Sequence, residues 1–300
     1  MDISIVFSTF KSEEILEKSL QAYCLITTDF QWELIIIDNA CREETSLLVN
    51  KYKDRLPIVF LSEKKPGKNN ALNKALPVIQ SELVLFTDND TLPDENIINI
   101  CVDSASEYSE ISLFSGKILP DITLPNWLDL SSHRVCSALG VYDKGEQNLE
   151  ILPESIWGGN MLVRKRIFAV GLMFNVNVGP NGKNYIMGSE TELLMRLQND
   201  GYKAMYLAES KVLHQIRAEQ LSIEWLKNRA YRSGRGSSFN NNDDSVLFLG
   251  IPRYLLRKLI SNFFTLLFSS MSGNKKAKCL AHMEFNFNLG KSRQAFTDKK

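Results

Sequence analysis

The sequence predicts an α/β protein: a mostly parallel sheet flanked by helices, with a helical extension at its C-terminal end. Three observations carry this. Short aliphatic, β-branched runs alternate with helix-periodic segments through the first half of the chain. Two of those runs end in aspartate. Of the 300 residues 44% are apolar, enough for a sizeable core in one or two domains.

Residues 3–8 read as the first strand, 13–24 as a helix with Ile15, Leu16, Leu20 and Tyr23 at helical spacing, and 32–38 (WELIIID) as a continuous apolar strand. The unit then repeats: helix 44–52, strand 58–61, helix 69–79 after the Gly67 turn, and buried strand 83–87. Beyond Pro93 come a helix over 94–108, a strand near 112–116 and a Pro-punctuated stretch to Pro153. A strand over 158–163, a short helix over 164–169, an Asn- and Gly-rich loop over 174–185 and a helix over 187–199 follow. Residues 203–206 and 211–213 read as two short strands, and 237–245 (SSFNNNDDS) as a linker.

The 35 Lys+Arg balance 35 Asp+Glu, so no global charge favours nucleic acid. The balance is a sum of unlike regions, since residues 211–300 carry 16 Lys+Arg against 6 Asp+Glu. Five scattered cysteines without a CxxC predict reduced thiols in a cytoplasmic protein, and the acidic Asp2 with no basic n-region argues against a secretory leader. Between Lys258 and Lys275 lie 16 uncharged residues, where a membrane span takes about 20.

In open α/β sheets ligands bind beyond the carboxyl ends of strands, which places Asp38 and Asp88-Asn89-Asp90 on the reactive rim. Two carboxylates one residue apart can hold a hard divalent ion that neutralises a diphosphate. A lone DxD is also a common solvated turn. Here it follows a buried strand, and the basic turn Lys64-Lys65-Pro66-Gly67-Lys68 lies between it and Asp38. Asn89-Asp90-Thr91 fits an N-glycosylation pattern by chance only, inside this rim.

Six segments in order, SIVFSTFKSEEIL, ELIIIDNA, KKPGKNNALNKAL, LVLFTDNDTLPD, WGGNMLVRKRIF and GSETELLMRLQNDGYKAMYLAESKVLH, resemble the family 2 glycosyltransferases of GT-A fold, over roughly residues 4–214. The resemblance implies inverting transfer of a sugar from a UDP-, GDP- or dTDP-linked donor to a saccharide or lipid-linked saccharide hydroxyl, with Mg²⁺ or Mn²⁺. Carried over, Thr9 and Phe10 line the nucleoside pocket, Asp38 accepts a hydrogen bond from the base, and Lys68 lies near the base or phosphates. Asp88 approaches ribose with Asn89 beside it, and Asp90 and His214 ligate the metal. A histidine hydrogen-bonded at a strand end is the plainer reading of His214.

An inverting displacement needs a carboxylate opposite the leaving group to take the acceptor proton. Glu190 is the candidate base. The family usually has Glu-Asp where this chain has Ser189-Glu190. Glu192 is the competing carboxylate on the acceptor side, although its spacing to Arg196 equally suits an i,i+4 ion pair. Trp157 and Gly159 would face the acceptor sugar, or Trp157 is ordinary core.

The expected domains are 1–220, with a nucleotide-binding half over 1–92 and an acceptor half over 93–220, and a basic tail over 221–300. Apolar residues flanked by cations over 247–278 suit the surface of an anionic bilayer, on the inner face of the cell membrane, or else packing on the catalytic domain or a second copy. Two further readings stay open: a sugar-phosphate nucleotidylyltransferase, disfavoured because Ser8-Thr9-Phe10-Lys11 replaces a Gly-rich loop, and an inactive partner of an active transferase. A processive synthase would carry QxxRW, which is absent.

Overall fold

The computed structural model describes residues 1–169, 171–181, 185–239, 246–248 and 250–297. They divide into two compact units. The first comprises Met1–Asp121, Tyr142–Gly182 and Ser189–Gln215; the second comprises Ile122–Val141, Lys183–Gly188 and Ile216–Lys300.

The first unit is built on a nine-stranded sheet. Strands β1 (Ile3–Thr9), β2 (Trp32–Asp38), β3 (Ile58–Ser62) and β4 (Leu83–Thr87) pair in parallel in the order β3-β2-β1-β4. Helices α1 (Glu13–Tyr23), α2 (Glu43–Asn50) and α3 (Lys68–Ala75) make the crossovers that parallel pairing demands. After β5 (Thr91–Pro93) and α4 (Ile97–Glu107), the sheet continues through β6 (Leu113–Pro120). Strand alternation divides the buried side chains between two cores. Ile5, Phe7, Leu34, Ile36 and Leu85 meet Leu16 and Leu20 of α1 and Ile97, Ile98 and Cys101 of α4. Val6, Ile35, Ile37, Val84 and Phe86 face the other way, onto Ala71, Leu72 and Ala75 of α3.

In the second unit α5 (His133–Leu139) precedes a return to the sheet at β7 (Leu149–Ile151) and β8 (Asn160–Arg164) of the first. Strand β8 runs antiparallel between β4 and β6, and reverses the parallel run there. Helix α6 (Ser189–Asn199) adds Leu193, Leu194 and Leu197 to the second core. The two short strands expected over 203–213 are one continuous strand, β9 (Ala204–His214), paired with β6, β5 and β7. Its register on β6 jumps from Leu207↔Gly116 to Lys211↔Lys117, so Ala208-Glu209-Ser210 form a bulge. Buried Asn160 stitches the bulge by donating from Nδ2 to the carbonyls of Ser210 (3.0 Å) and Lys117 (3.2 Å). Gly116 leaves the room, since a Cβ there would collide with the Asn160 amide.

The second unit holds α7 (Ile223–Phe239), a small hairpin of β10 (Leu247–Phe248) and β11 (Ile251–Pro252), α8 (Arg253–Met271) and α9 (Lys275–Thr297). Leu128, Val135 and Leu139 share a core with Ile216, Leu226, Cys279 and Met283. This is why 122–141 clusters with the C-terminal helices. Helices α7 and α9 cross closely at glycines: a Cβ on Gly234 would strike the Phe287 carbonyl, and one on Gly290 the Tyr231 carbonyl. Helix α8 leaves Ile260, Phe263, Phe264, Leu267, Phe268 and Met271 exposed. Most of the linker expected over 237–245 lies outside the described residues.

Candidate active site

The carboxyl ends of β1, β2 and β4 form the expected rim. Thr9 and Asp38 are register neighbours there, both buried. The backbone N–H groups of Ala40 and Arg42 donate to Asp38 Oδ1 (2.8 Å) and Oδ2 (2.7 Å), so this carboxylate orders the turn that starts α2 as well as lying on the rim. Phe10 is exposed, with the Lys11 ammonium 5.4 Å from its ring centre.

The segment after β4 is tied down from several sides. Asn89 Nδ2 donates to Ser12 Oγ (2.6 Å) and to Thr9 Oγ1 (3.4 Å), while Ser19 Oγ donates to the Asn89 carbonyl (2.8 Å). The Gln215 backbone N–H donates to the Asp90 carbonyl (2.8 Å), and Thr91 pairs with His214 across β5 and β9. These ties bring His214 Nε2 to 3.3 Å from Asp90 Oδ2.

Lys68 begins α3 and stands at the centre. Its Nζ donates to Asp88 Oδ1 and to Glu190 Oε1, both at 2.6 Å. Burial acts to lower the pKa of this ammonium, but the charges of Asp88 and Glu190 and their hydrogen bonds outweigh it and raise the pKa well above the ordinary lysine value. Glu190 lies in the first turn of α6, where the helix end favours its ionised form. Gly158 accommodates it: a Cβ there would come within 2.5 Å of the Glu190 carboxyl group. A Cβ on Gly159 would sit 3.7 Å from Asp88 Oδ2, and the Gly159 carbonyl accepts from Thr87 Oγ1 (2.7 Å).

Trp157 stacks on Tyr142 at 5.4 Å and is partly buried against the first core. Glu192 accepts a hydrogen bond from Arg196 Nη2 (2.8 Å), the i,i+4 pair its spacing suggested. The structure thus brings Asp88, Lys68 and Glu190 into one chain of contacts and pairs Asp90 with His214.

Sequence reasoning missed the asparagines of α3. Asn69 Nδ2 donates to the carbonyls of Asn175 (2.7 Å) and Val178 (3.0 Å), and its Oδ1 accepts from the Ser189 hydroxyl. Asn73 exchanges hydrogen bonds with the backbone of Phe174. Three asparagines in one eight-residue helix (KNNALNKA) are the signal that could have found them, because asparagine disfavours helix interiors unless its amide is engaged elsewhere.

Among the described residues, no cluster of three or more Asp, Glu, His or Cys could hold a metal ion. The donor set still fits one. Mg²⁺ and Mn²⁺ take one or two protein donors and complete their shell with water and substrate phosphate, and the Asp90 carboxylate faces an imidazole nitrogen of His214.

A parallel βαβ half, a reversed strand and an acidic strand-end rim are the features of a GT-A fold. The chain belongs to glycosyl transferase family 2, whose model matches residues 4–171. A mannosyltransferase from Pyrobaculum calidifontis, PcManGT, solved with GDP-Man and Mn²⁺, shares the fold with a TM-score of 0.65 at 14% identity, over 99% of this chain and 88% of that one. Staphylococcus aureus TarS 1–349 in complex with UDP-GlcNAc matches with a TM-score of 0.52 at 16% identity, over 91% and 75%. In sequence, the poly(ribitol-phosphate) beta-N-acetylglucosaminyltransferase TarS of S. aureus is 28% identical over 95 residues, 30% of this chain. The match spans 16% of that relative's length.

Proposed function

We propose that the protein is an inverting glycosyltransferase that moves a sugar from a nucleoside-diphosphate-sugar to a saccharide or lipid-linked saccharide hydroxyl, in cell-surface polysaccharide or glycolipid synthesis. The observation that carries this reading is the shared ammonium. Asp88 on the donor rim and Glu190 on α6 both lie 2.6 Å from Lys68 Nζ, so donor-side and acceptor-side carboxylates converge on one place.

Thr9, Phe10, Asp38, Asp88 and Asn89 form the nucleotide side. Trp157, Gly159 and Glu192 form the acceptor side. As the acceptor oxygen bonds to the anomeric carbon, Glu190 takes its proton and the bond from that carbon to the diphosphate oxygen breaks, releasing the nucleoside diphosphate. General base catalysis of this kind contributes about 10²–10⁴ in rate. Asp90 and His214 would hold Mg²⁺ or Mn²⁺, which neutralises the charge of the departing diphosphate.

A thermal-shift panel of UDP, GDP and dTDP with and without Mn²⁺, followed by transfer assays with the corresponding sugars, tests the reading. Ligand at 100 times its dissociation constant stabilises by about 2.7 kcal/mol. Glu190→Gln is expected to lose at least about a hundredfold in kcat. If Glu192→Gln loses it instead, Glu192 is the base. No nucleotide-dependent shift and no turnover with any sugar nucleotide would favour the inactive-partner reading.

The tail supports contact with a membrane surface. From 245 to 283 the chain has no Asp or Glu and six Lys or Arg, and α8 exposes six large apolar side chains in the same region. No helix among the described residues is long and apolar enough to cross a membrane. The variant Phe264→Glu/Phe268→Glu should abolish co-sedimentation with phosphatidylglycerol vesicles. Unchanged sedimentation, or a dimer that the same substitutions break, would remove the membrane from the proposal.

A further inference from the structure

Lys68 falls in a motif whose sequence resemblance points to the base or the phosphates, yet its ammonium is engaged by two carboxylates. At 14% side-chain exposure it is also too enclosed to act as a diffuse surface charge. The next residue in the chain reaches the same helix. Asn69 Oδ1 accepts from Ser189, the residue before Glu190, and both are buried. The first turn of α3 therefore holds the first turn of α6 at two adjacent points, one ionic and one through a neutral hydrogen bond.

We infer that Lys68 and Asn69 are positioning residues for Glu190, with Lys68 fixing its carboxylate toward the donor rim and Asn69 fixing the helix turn through Ser189. This rests on the reading of Glu190 as the base. It assigns a use to Ser189 at the position where the resemblance leads one to expect an acid. A second acid there would face the carbonyl oxygen of Asn69, and a hydroxyl can donate to it. The same turn is anchored on its far side: the Lys68 N–H donates to the Pro180 carbonyl (3.0 Å), and Asn69 holds the carbonyls of Asn175 and Val178. The loop leading toward α6 and the base are thus referenced to one helix end. A misplacement of about 1 Å in a reacting group can lower a rate about a hundredfold.

The test separates positioning from nucleotide binding. In the full chain, Lys68→Met should lower kcat about a hundredfold and leave donor KM, and the thermal shift given by UDP or GDP with Mn²⁺, unchanged. Lys68→Arg keeps the charge and should recover most of kcat. Asn69→Ala and Ser189→Ala should move kcat in the same direction by less. A raised KM and lost thermal shift with kcat intact would make Lys68 a nucleotide ligand and overturn the inference. A readout without substrate accompanies this: the melting temperatures of Lys68→Met, Glu190→Gln and the double variant should be non-additive, the double variant melting above the sum of the two losses. Additivity would overturn the inference as well. If Glu190→Gln retains turnover, the base reading fails by itself. If Glu190→Gln is inactive while Lys68→Met keeps its kcat, only the positioning role fails.

Discussion

Gly158→Ala is a one-carbon test of where the base must sit. Gly158 is not among the residues with positive φ, so alanine fits the backbone there and only the space is at issue. A Cβ would come within 2.5 Å of Glu190 Cγ, Cδ and Oε1 together. Ordinary contact between such atoms begins near 3.5 Å, so the carboxyl group must retreat by about 1 Å. It can do so, being the end of a flexible side chain, and the fold should survive with little change in melting temperature. The reaction should not. A shift of about 1 Å is expected to lower kcat about a hundredfold, or about 2.7 kcal/mol in the barrier. Steady-state transfer with the donor found by thermal shift, alongside thermal unfolding of the same sample, measures both quantities. A variant with wild-type kcat would refute the placement of the base against Gly158. A variant that loses kcat and unfolds together would refute the claim that the base, and not the fold, occupies that space.

Asp90→Ala should remove the Mn²⁺ dependence of nucleotide binding seen in the thermal-shift assay; retained dependence would clear Asp90 of metal binding. Asn160→Ala leaves the carbonyls of Ser210 and Lys117 short of a donor in a buried bulge and should cost about 1–3 kcal/mol in denaturant unfolding. Burial pushes the Cys101 thiol up to about 12 and the Cys279 thiol up to about 11, whereas an unfolded cysteine titrates near 8.5. Both groups keep their proton better when folded, so their contribution is fully present below about pH 8.5 and is lost as pH rises toward 11–12. Melting temperatures should be level from pH 7 to 8.5 and fall above pH 9. A level profile to pH 10.5 would contradict this.

The four parallel strands were legible because each is a short aliphatic run that one side chain in two sends to either core, and because two of them, β2 and β4, lead into the acids of the rim. Strand β9 was read as two pieces because Ala208-Glu209-Ser210 interrupts its apolar run, and the sequence does not reveal that Asn160, about fifty residues earlier, bridges the gap. Helix α9 escaped notice for a different reason. Only its first half buries apolar side chains, Cys279, Ala281 and Met283, while the second half buries Asn288, Gly290, Ser292 and Gln294 at a close crossing with α7, so the apolar stripe stops before the helix does. At the site, motif order located the carboxylates, while their mutual arrangement depends on the Lys68 ammonium and the α3 asparagines. Those contacts join residues more than a hundred positions apart.

The mixed origin of the second unit bears on how a ribosome must deliver this chain. Val135 and Leu139 emerge early, but Cys279 and Met283, which complete their core, follow about 140 residues later. At ~5–20 residues per second that is roughly 7–30 s during which the apolar side of α5 is made but not enclosed. The sheet has all its strands once β9 is out, well before α9 exists. Nascent chains stalled before α9 should therefore hold a finished sheet and an α5 whose apolar side is still partly uncovered, the species of this chain most prone to aggregate.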